Sequence, residues 1–289
     1  MYHAGVPSQP DSRATALPVP VFVLGTKGRS GTGLLTALLR LHPDCTAPPP
    51  PMAREDWLLH HAHHLGTYAG ELARRLGGLS DATPVDGFDE RVLAALGRGL
   101  QELLGAAAGT ASHVIAKSPT LDGIEIGFHL LPTARFLVLV RNGPDSVESS
   151  LRSWPRRDVG NAENLETFAR HWRQGARHLL ELMERHPGRL MSVRYEDLVL
   201  DRERRLRLVF DHVGLDAARY DFAAAAACPV YGSSSFGRRE GRVSYAPVPA
   251  AAGFRPLERA ASWGTDEHRR FNRIAGDMMR AFGYPLVAA

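Results

Sequence analysis

The sequence predicts an α/β fold in which a central parallel sheet is flanked by helices. Short apolar runs rich in β-branched residues alternate along the 289 residues with segments whose apolar residues recur at helical spacing. Such runs are typical of strands buried on both faces, and the helical segments between them are long enough to connect parallel strands. The predicted strands cover residues 18–24, 112–117, 135–140 and 190–194. We expect a single domain over 18–289, preceded by a flexible leader at 1–17.

Helices are predicted between these strands and at the C-terminal end of the chain. They cover residues 31–41, 55–76, 89–107, 145–153, 164–185, 202–213 and 266–282. Four consecutive prolines at 48–51 interrupt regular structure and predict a surface excursion. The stretch 231–255 is rich in Gly, Ser, Arg and Pro, which predicts a long functional loop.

Composition excludes several classes of protein. Lys and Arg outnumber Asp and Glu by only 35 to 31, an excess too small to indicate a nucleic-acid partner. The two cysteines, Cys45 and Cys228, form no C-x-x-C pair, which argues against a disulfide framework and favours a cytoplasmic protein. The sequence shows neither an apolar signal-peptide core near its start nor an apolar run long enough for a membrane span.

A glycine-rich loop, T-K-G-R-S-G-T-G over 26–33, joins the first predicted strand to the first helix. Backbone N–H groups of such a loop and the dipole of the following helix favour a phosphate, although a glycine-rich turn without a ligand is the alternative. The loop lacks the Gly-Lys pair of a Walker A motif, and Thr32 stands where a nucleophile elbow needs glycine. The candidate ligand-binding residues are Lys27, Gly28, Arg29, Ser30, Gly31, Thr32 and Gly33.

Four short motifs, in order along the chain, resemble the superfamily of sulfotransferases that use 3'-phosphoadenosine 5'-phosphosulfate (PAPS). The stretch Arg29-Ser-Gly-Thr-Gly33 resembles the family's 5'-phosphosulfate loop, with Gly33 in place of a second threonine. Lys117-Ser-Pro resembles the E-K-S/T-P element, the stretch 141–149 resembles the 3'-phosphate motif, and Tyr195-Glu-Asp-Leu198 resembles a further family element. The likeness spans about 21–284, and it is closer to the tyrosylprotein, heparan-type and bacterial enzymes than to the small-phenol enzymes.

The resemblance implies a P-loop-like three-layer fold and a sulfonate-transfer reaction. The reaction transfers a sulfonate group from PAPS to an acceptor hydroxyl or amine, releases adenosine 3',5'-bisphosphate (PAP) and needs no metal. By the same resemblance, Arg29 and Lys117 surround the transferring group and stabilise the leaving phosphate. The implied nucleotide contacts outside the first loop are Arg141 and Ser149 at the 3'-phosphate, Tyr195 at the adenine, and Ser234, Ser235 and Arg238 in the long C-terminal loop.

The resemblance also implies a catalytic base. Small-phenol enzymes place a histidine two residues after the motif lysine, where this chain has Pro119. The other branches place a glutamate in a K-E-x-H/W stretch, which the R-E-D-W at 54–57 resembles, so Glu55 is the candidate base. The proline run before it leaves Asp56 as an alternative, and Glu55 could instead be an ordinary carboxylate in the first turn of a helix.

Four nearby histidines invite a metal-site interpretation, which we reject because no carboxylate or cysteine completes a known ligand spacing. They are His60, His61, His63 and His64.

Two other functions stay open at this point. One is a nucleotide-dependent phosphotransferase, and the other is a non-catalytic nucleotide-binding protein on the same fold. The sequence does not identify the acceptor. The acceptor side of the site would be built by the segments 48–78 and 153–164, and segments of this kind vary most between proteins that share a fold. The Ala- and Arg-rich composition indicates a bacterial source and leans towards a small-molecule metabolite as the acceptor. The sequence does not indicate the oligomeric state.

Overall fold

The computed structural model describes residues 16–53, 55, 57–77, 86–154, 159–229, 238–239, 242–243 and 255–286. Nearly all of the predicted leader, and most of the predicted loop at 231–255, lie outside these residues. The leader and the domain bounds therefore stay predictions.

Five parallel strands form the central sheet in the order β2-β3-β1-β4-β5. The strands are β1 (Val19–Gly25), β2 (Cys45–Thr46), β3 (His113–Ser118), β4 (Arg135–Val140) and β5 (Leu190–Arg194). The predicted α/β fold with a parallel sheet is confirmed, and the four predicted strands lie within one residue of their observed bounds. A separate antiparallel pair is formed by β6 (Arg238–Arg239) and β7 (Arg242–Val243).

Helices cover both faces of this sheet. They are α1 (Thr32–Leu39), α2 (Ala62–Gly77), α3 (Phe88–Gly105), α4 (Ile124–Leu130), α5 (Gly143–Ser153), α6 (Asn161–Arg185), α7 (Tyr195–Leu200), α8 (Arg202–Val213), α9 (Phe222–Ala227) and α10 (Thr265–Ala281). Alternate strand side chains enter opposite cores. Phe22 belongs to the same buried cluster as Trp172 of α6 and Phe271 of α10, whereas Val21 belongs to the cluster of Leu35 of α1 and Phe210 of α8. Among the described helices, none is both long and apolar enough to cross a membrane.

The prediction that a helix begins at Glu55 is wrong, because α2 begins at Ala62. The segment before it runs as turns, and Trp57 has a left-handed backbone with φ of 54° that cannot continue a right-handed helix. Leu59 docks this segment on the start of α4, where a Cβ on Gly123 would lie 1.8 Å from the Leu59 carbonyl oxygen. Glu55 is therefore not a first-turn carboxylate, and His60 also precedes the helix that was expected to contain it.

Candidate functional site

The glycine-rich loop leaves the central strand where the neighbouring strands β3 and β4 also end. The Thr26 N–H donates to the Leu139 carbonyl at 3.0 Å, which ties the loop to β4. Within the loop, the buried Ser30 hydroxyl donates to the Lys27 carbonyl at 2.5 Å. These bonds hold the loop in a fixed path above the carboxyl edge of the sheet, with the N-terminus of α1 opening towards it.

Two residues of the loop have left-handed backbone angles. Arg29 has a φ of 79°, which is uncommon for a residue with a side chain, and Gly31 has a φ of 99°. A Cβ on Gly31 would also lie 2.2 Å from Cδ2 of Tyr195. The loop backbone and the Tyr195 ring are thus in direct contact, which only glycine permits at this position.

Arg29 and Arg141 meet beside this loop. The Arg29 Nε donates to the Ser149 hydroxyl at 3.0 Å, and the buried Arg141 donates from Nη1 to the Arg29 carbonyl at 3.2 Å. The Arg141 guanidinium also lies 4.7 Å from the centroid of the Tyr195 ring, which is only 4% exposed. The structure therefore brings together Arg29, Arg141, Ser149 and Tyr195, from three separate stretches of sequence.

A third arginine, Arg259, adds its charge to this group. Burial, followed by the charges of Arg141 and Arg259, lowers the pKa of Arg29 to about 10. Burial also lowers the pKa of Arg259, with the charges of Arg152 and Arg141 adding to the effect and those of Glu148 and Asp145 opposing it. The charges of Asp145 and Glu148 offset only part of this repulsion, because the pKa values of Arg29 and Arg259 are still lowered. The cluster is therefore suited to a further, strongly anionic ligand.

The position of Arg259 depends on a buried carboxylate. Asp145, which is 5% exposed, accepts a hydrogen bond from the backbone N–H of Ala260 at 3.0 Å. Burial raises the pKa of Asp145, while the Ala260 bond and the Arg141 charge oppose that rise. In the same segment, the Pro256 carbonyl accepts a hydrogen bond from Arg141 Nη2 at 2.6 Å. Sequence reasoning missed Arg259, because no motif surrounds it and only this docking brings it to the site.

An exposed tryptophan covers one side of the loop. Trp154 follows α5, is 45% exposed, and its ring lies 3.3 Å from the position that a Cβ of Gly28 would take. The Arg29 guanidinium carbon lies 5.5 Å from the centroid of this ring. Trp154 was also missed, although it lies in a segment predicted to border the acceptor.

The opposite side of the loop contains an ion pair. Lys117, near the end of β3, donates from Nζ to the Glu55 Oε1 at 3.1 Å. Burial lowers the pKa of Lys27, an effect that the negative charge of Asp122 opposes. The structure therefore places the two sequence-predicted candidates for base and leaving-group stabilisation, Glu55 and Lys117, in direct contact.

A hydrogen bond between a histidine and an aspartate forms a second polar contact on this side of the loop. His60 donates from Nδ1 to the Asp122 carboxylate at 3.0 Å, and the Thr120 hydroxyl donates to the same oxygen at 2.9 Å. In the described parts of the chain, the histidine-rich stretch gathers no group of three or more side chains able to hold a metal.

Some predicted site residues cannot be located. Ser234, Ser235 and the alternative base Asp56 lie outside the described residues. Arg238 contributes its backbone to β6, but its side chain is not described.

A model of the sulfotransferase family matches residues 20–219. No curated protein matches the chain. The fold is similar to that of the sulfotransferase domain from the Synechococcus PCC 7002 olefin synthase, with 21% identity, a TM-score of 0.56, and coverage of 96% of this chain and 100% of that one.

Two further solved structures share the fold. The sulfotransferase domain from the curacin biosynthetic pathway is 15% identical, with a TM-score of 0.52 and coverage of 94% of this chain and 100% of that one. Sulfotransferase STF9 from Mycobacterium avium is also 15% identical, with a TM-score of 0.51 and coverage of 94% and 78%.

Proposed function

The chain belongs to the sulfotransferase family, and we propose that it transfers the sulfonate group of PAPS to an acceptor hydroxyl or amine, releasing PAP. The observation that supports this donor best is the cluster of Arg29, Arg141 and Arg259 beside the glycine-rich loop. PAPS has two anionic ends, a 3'-phosphate and a 5'-phosphosulfate. In this proposal the glycine-rich loop takes one end, and Arg141 with Arg259 takes the other, while Arg29 lies between the two.

The 5'-phosphosulfate would bind the loop of residues 27–33, through its backbone N–H groups and the N-terminus of α1. The 3'-phosphate would bind the Ser149 hydroxyl and the guanidinium groups of Arg141 and Arg259, which favour doubly charged oxygen ligands. Tyr195 stays our proposed residue for the adenine end of the site, because its ring packs under Arg141. Ser234, Ser235 and Arg238 stay predictions as nucleotide contacts from the C-terminal loop.

In the transfer step, the acceptor oxygen or nitrogen forms a bond to sulfur while the bond from sulfur to the bridging phosphate oxygen breaks. Negative charge accumulates on the departing 5'-phosphate, where Arg29 and Lys117 would stabilise it. The acceptor proton would pass to Glu55, the carboxylate that lies 3.1 Å from Lys117. The base and the cation that the reaction needs are thereby adjacent.

The two alternative functions are a nucleotide-dependent phosphotransferase and a non-catalytic nucleotide-binding protein. The family match sets aside the phosphotransferase alternative. The non-catalytic alternative is tested by a mass-spectrometric screen for PAPS-dependent addition of a sulfonate across acceptor classes. We propose a small-molecule metabolite as the acceptor, and the cytoplasm as the compartment because Cys45 and Cys228 are both unbridged.

The test of the donor is a binding comparison by titration calorimetry. We expect PAP to bind and stabilise the protein, and ATP, which lacks a 3'-phosphate, to bind more weakly. Arg141→Ala should remove most of this preference, because losing a charge-assisted contact costs roughly tenfold to a hundredfold in affinity. Equal affinity of the wild type for PAP and ATP would refute the proposed donor.

A further inference from the structure

Glu196 has no role in the reaction described so far, yet it joins three distant parts of the chain. Its Oε1 accepts a hydrogen bond from the backbone N–H of Asn142 at 2.8 Å. Its Oε2 accepts one from the Tyr284 hydroxyl, also at 2.8 Å. The half-buried carboxylate thus connects the start of α7, the turn between β4 and α5, and the segment after α10.

The turn that Glu196 holds determines where Arg141 lies. Asn142 directly follows Arg141, and its side chain caps α5 by accepting from the Asp145 N–H at 3.3 Å. On the other side of the turn, the Arg141 carbonyl accepts from the Trp172 indole at 3.0 Å. The backbone of Arg141 is therefore fixed between two donor–acceptor pairs, of which Glu196 supplies one.

Tyr284 orients the Glu196 carboxylate through the hydrogen bond to Oε2. The tyrosine is buried, its hydroxyl lies 3.4 Å from the Val140 carbonyl, and the Arg194 guanidinium lies 4.4 Å from the ring centroid. Burial, together with the charge of Glu196, raises the pKa of Tyr284, so the phenol keeps its proton and stays a donor. The carboxylate therefore has a defined orientation even though it is not fully buried.

We propose that Glu196, oriented by Tyr284, is a positioning residue that sets the preference of the site for a nucleotide with a 3'-phosphate. This inference rests on the proposed function, in which Arg141 binds that phosphate. A binding group is effective only when neighbouring hydrogen bonds hold it within a fraction of an ångström of its productive position. Glu196 acts on the ligand through the backbone of Asn142 and Arg141, and not by contact.

Asp197 is a matched control. It is the next residue of α7 and also a carboxylate, but it pairs with Arg205 of α8. Glu196→Gln and Asp197→Asn each remove one negative charge from the same short helix, so they change the local field in a similar way. Glutamine has one acceptor oxygen where the carboxylate has two, so Glu196→Gln cannot accept from both the Asn142 N–H and the Tyr284 hydroxyl as Glu196 does. A difference between the two variants therefore reports the carboxylate that accepts both hydrogen bonds.

The experiment measures dissociation constants for PAP and for 5'-AMP, by titration calorimetry on the full chain. We take the ratio of the AMP constant to the PAP constant as the 3'-phosphate preference. Glu196→Gln should lower this ratio by about tenfold, and Asp197→Asn by less than about twofold. Tyr284→Phe removes one hydroxyl and no charge, and it should lower the ratio by about threefold. If Glu196→Gln does not fold, Tyr284→Phe tests the inference in its place.

The outcomes separate the inference from the proposed function. A wild-type ratio near one overturns the proposed function and this inference with it. A high wild-type ratio that falls equally in Glu196→Gln and Asp197→Asn, or that is unchanged in both Glu196→Gln and Tyr284→Phe, overturns the inference alone. Loss of thermal stability without loss of the preference likewise assigns Glu196 a purely structural role.

Discussion

The two sides of the site differ in how many parts of the fold hold them. On the proposed nucleotide side, Arg29 binds Ser149, and Arg141 binds both the first loop and the segment at Pro256. On the proposed acceptor side, Glu55 forms one side-chain ion pair within the described residues, with Lys117, and precedes the start of α2. In the proposed reaction, a fixed donor site beside a loop-built acceptor site would allow the acceptor to change while the donor stays the same.

The largest expected effect concerns the acceptor side. Glu55→Gln should preserve folding and PAP binding but lower turnover by about two to four orders of magnitude, the usual contribution of general-base catalysis. Single-turnover rates and PAP titrations on the same preparation measure the two properties separately. A variant that loses both would show that the two sides are not independent.

The identity of the base can be reassigned by the same assay. Near-wild-type turnover in Glu55→Gln, combined with its loss in Asp56→Asn or in a His60 or His61 variant, would contradict our assignment. Of these histidines, His60 has the geometry of an oriented base, because its Nδ1 is bound to the Asp122 carboxylate. The proposed nucleotide site would be unaffected by that result.

A smaller effect is expected from crowding the nucleotide side. Gly31→Ala would place a Cβ 2.2 Å from the Tyr195 ring and force a side chain into a left-handed backbone. The backbone alone costs about 1–2 kcal/mol, and overpacking adds about 1–3 kcal/mol. Denaturant unfolding should show the sum, and PAP affinity should fall at least about tenfold.

Gly214→Ala is the control for this variant. Gly214 also has a positive φ, of 81°, but a Cβ there would meet no atom of the described structure within 4 Å. It should show the backbone cost of about 1–2 kcal/mol without a change in PAP affinity. Equal loss of stability in the two variants would contradict the contact between the loop and Tyr195.

A still smaller effect is expected from Arg259. Arg259→Ala should weaken PAP binding by about tenfold, because it removes one charge from the cluster around Arg141. Arg255→Ala is the matched control, since Arg255 is largely exposed and pairs with Glu258 at 2.8 Å. Calorimetric titration distinguishes the two, and equal PAP affinity in both variants would remove Arg259 from the site.

No effect is expected from metal removal. Fixed arginine and lysine charges would do here what magnesium does in phosphoryl transfer, so turnover in EDTA should equal turnover with added magnesium. Activity that disappears in EDTA and returns with magnesium would contradict the proposed chemistry on both sides of the site.

The four longer strands were predictable because each is a short segment rich in apolar residues, and helical patterns separate these segments along the chain. The short edge strand β2 was not predictable, since two residues carry no pattern and its place comes from pairing with β3.

The start of α2 was misplaced because Leu58 and Leu59 continue a helical spacing. Leu59 is instead used to pack against Gly123 and Gly127, a contact between distant segments that local spacing does not contain.

The site was predictable to the extent that it lies on the sheet. Polar residues that follow parallel strands meet at one edge, which is why the first loop, Lys117 and Arg141 lie near one another. Arg259 reaches the site only because Asp145 binds the backbone of Ala260. No spacing rule in the sequence expresses such a docking contact.

The contact between Trp154 and the first loop gives this protein an optical reporter of its own. The indole is partly in solvent, packs on Gly28 and faces the Arg29 guanidinium. Indole emission depends on nearby charge and water, so an anion that draws Arg29 towards itself alters the emission of Trp154. Of the other three tryptophans, Trp172 is fully buried in the core and Trp263 binds Glu148, which leaves Trp57 as the second exposed emitter. A Trp57→Phe background would therefore let ligand arrival at the loop be followed in real time without any attached dye.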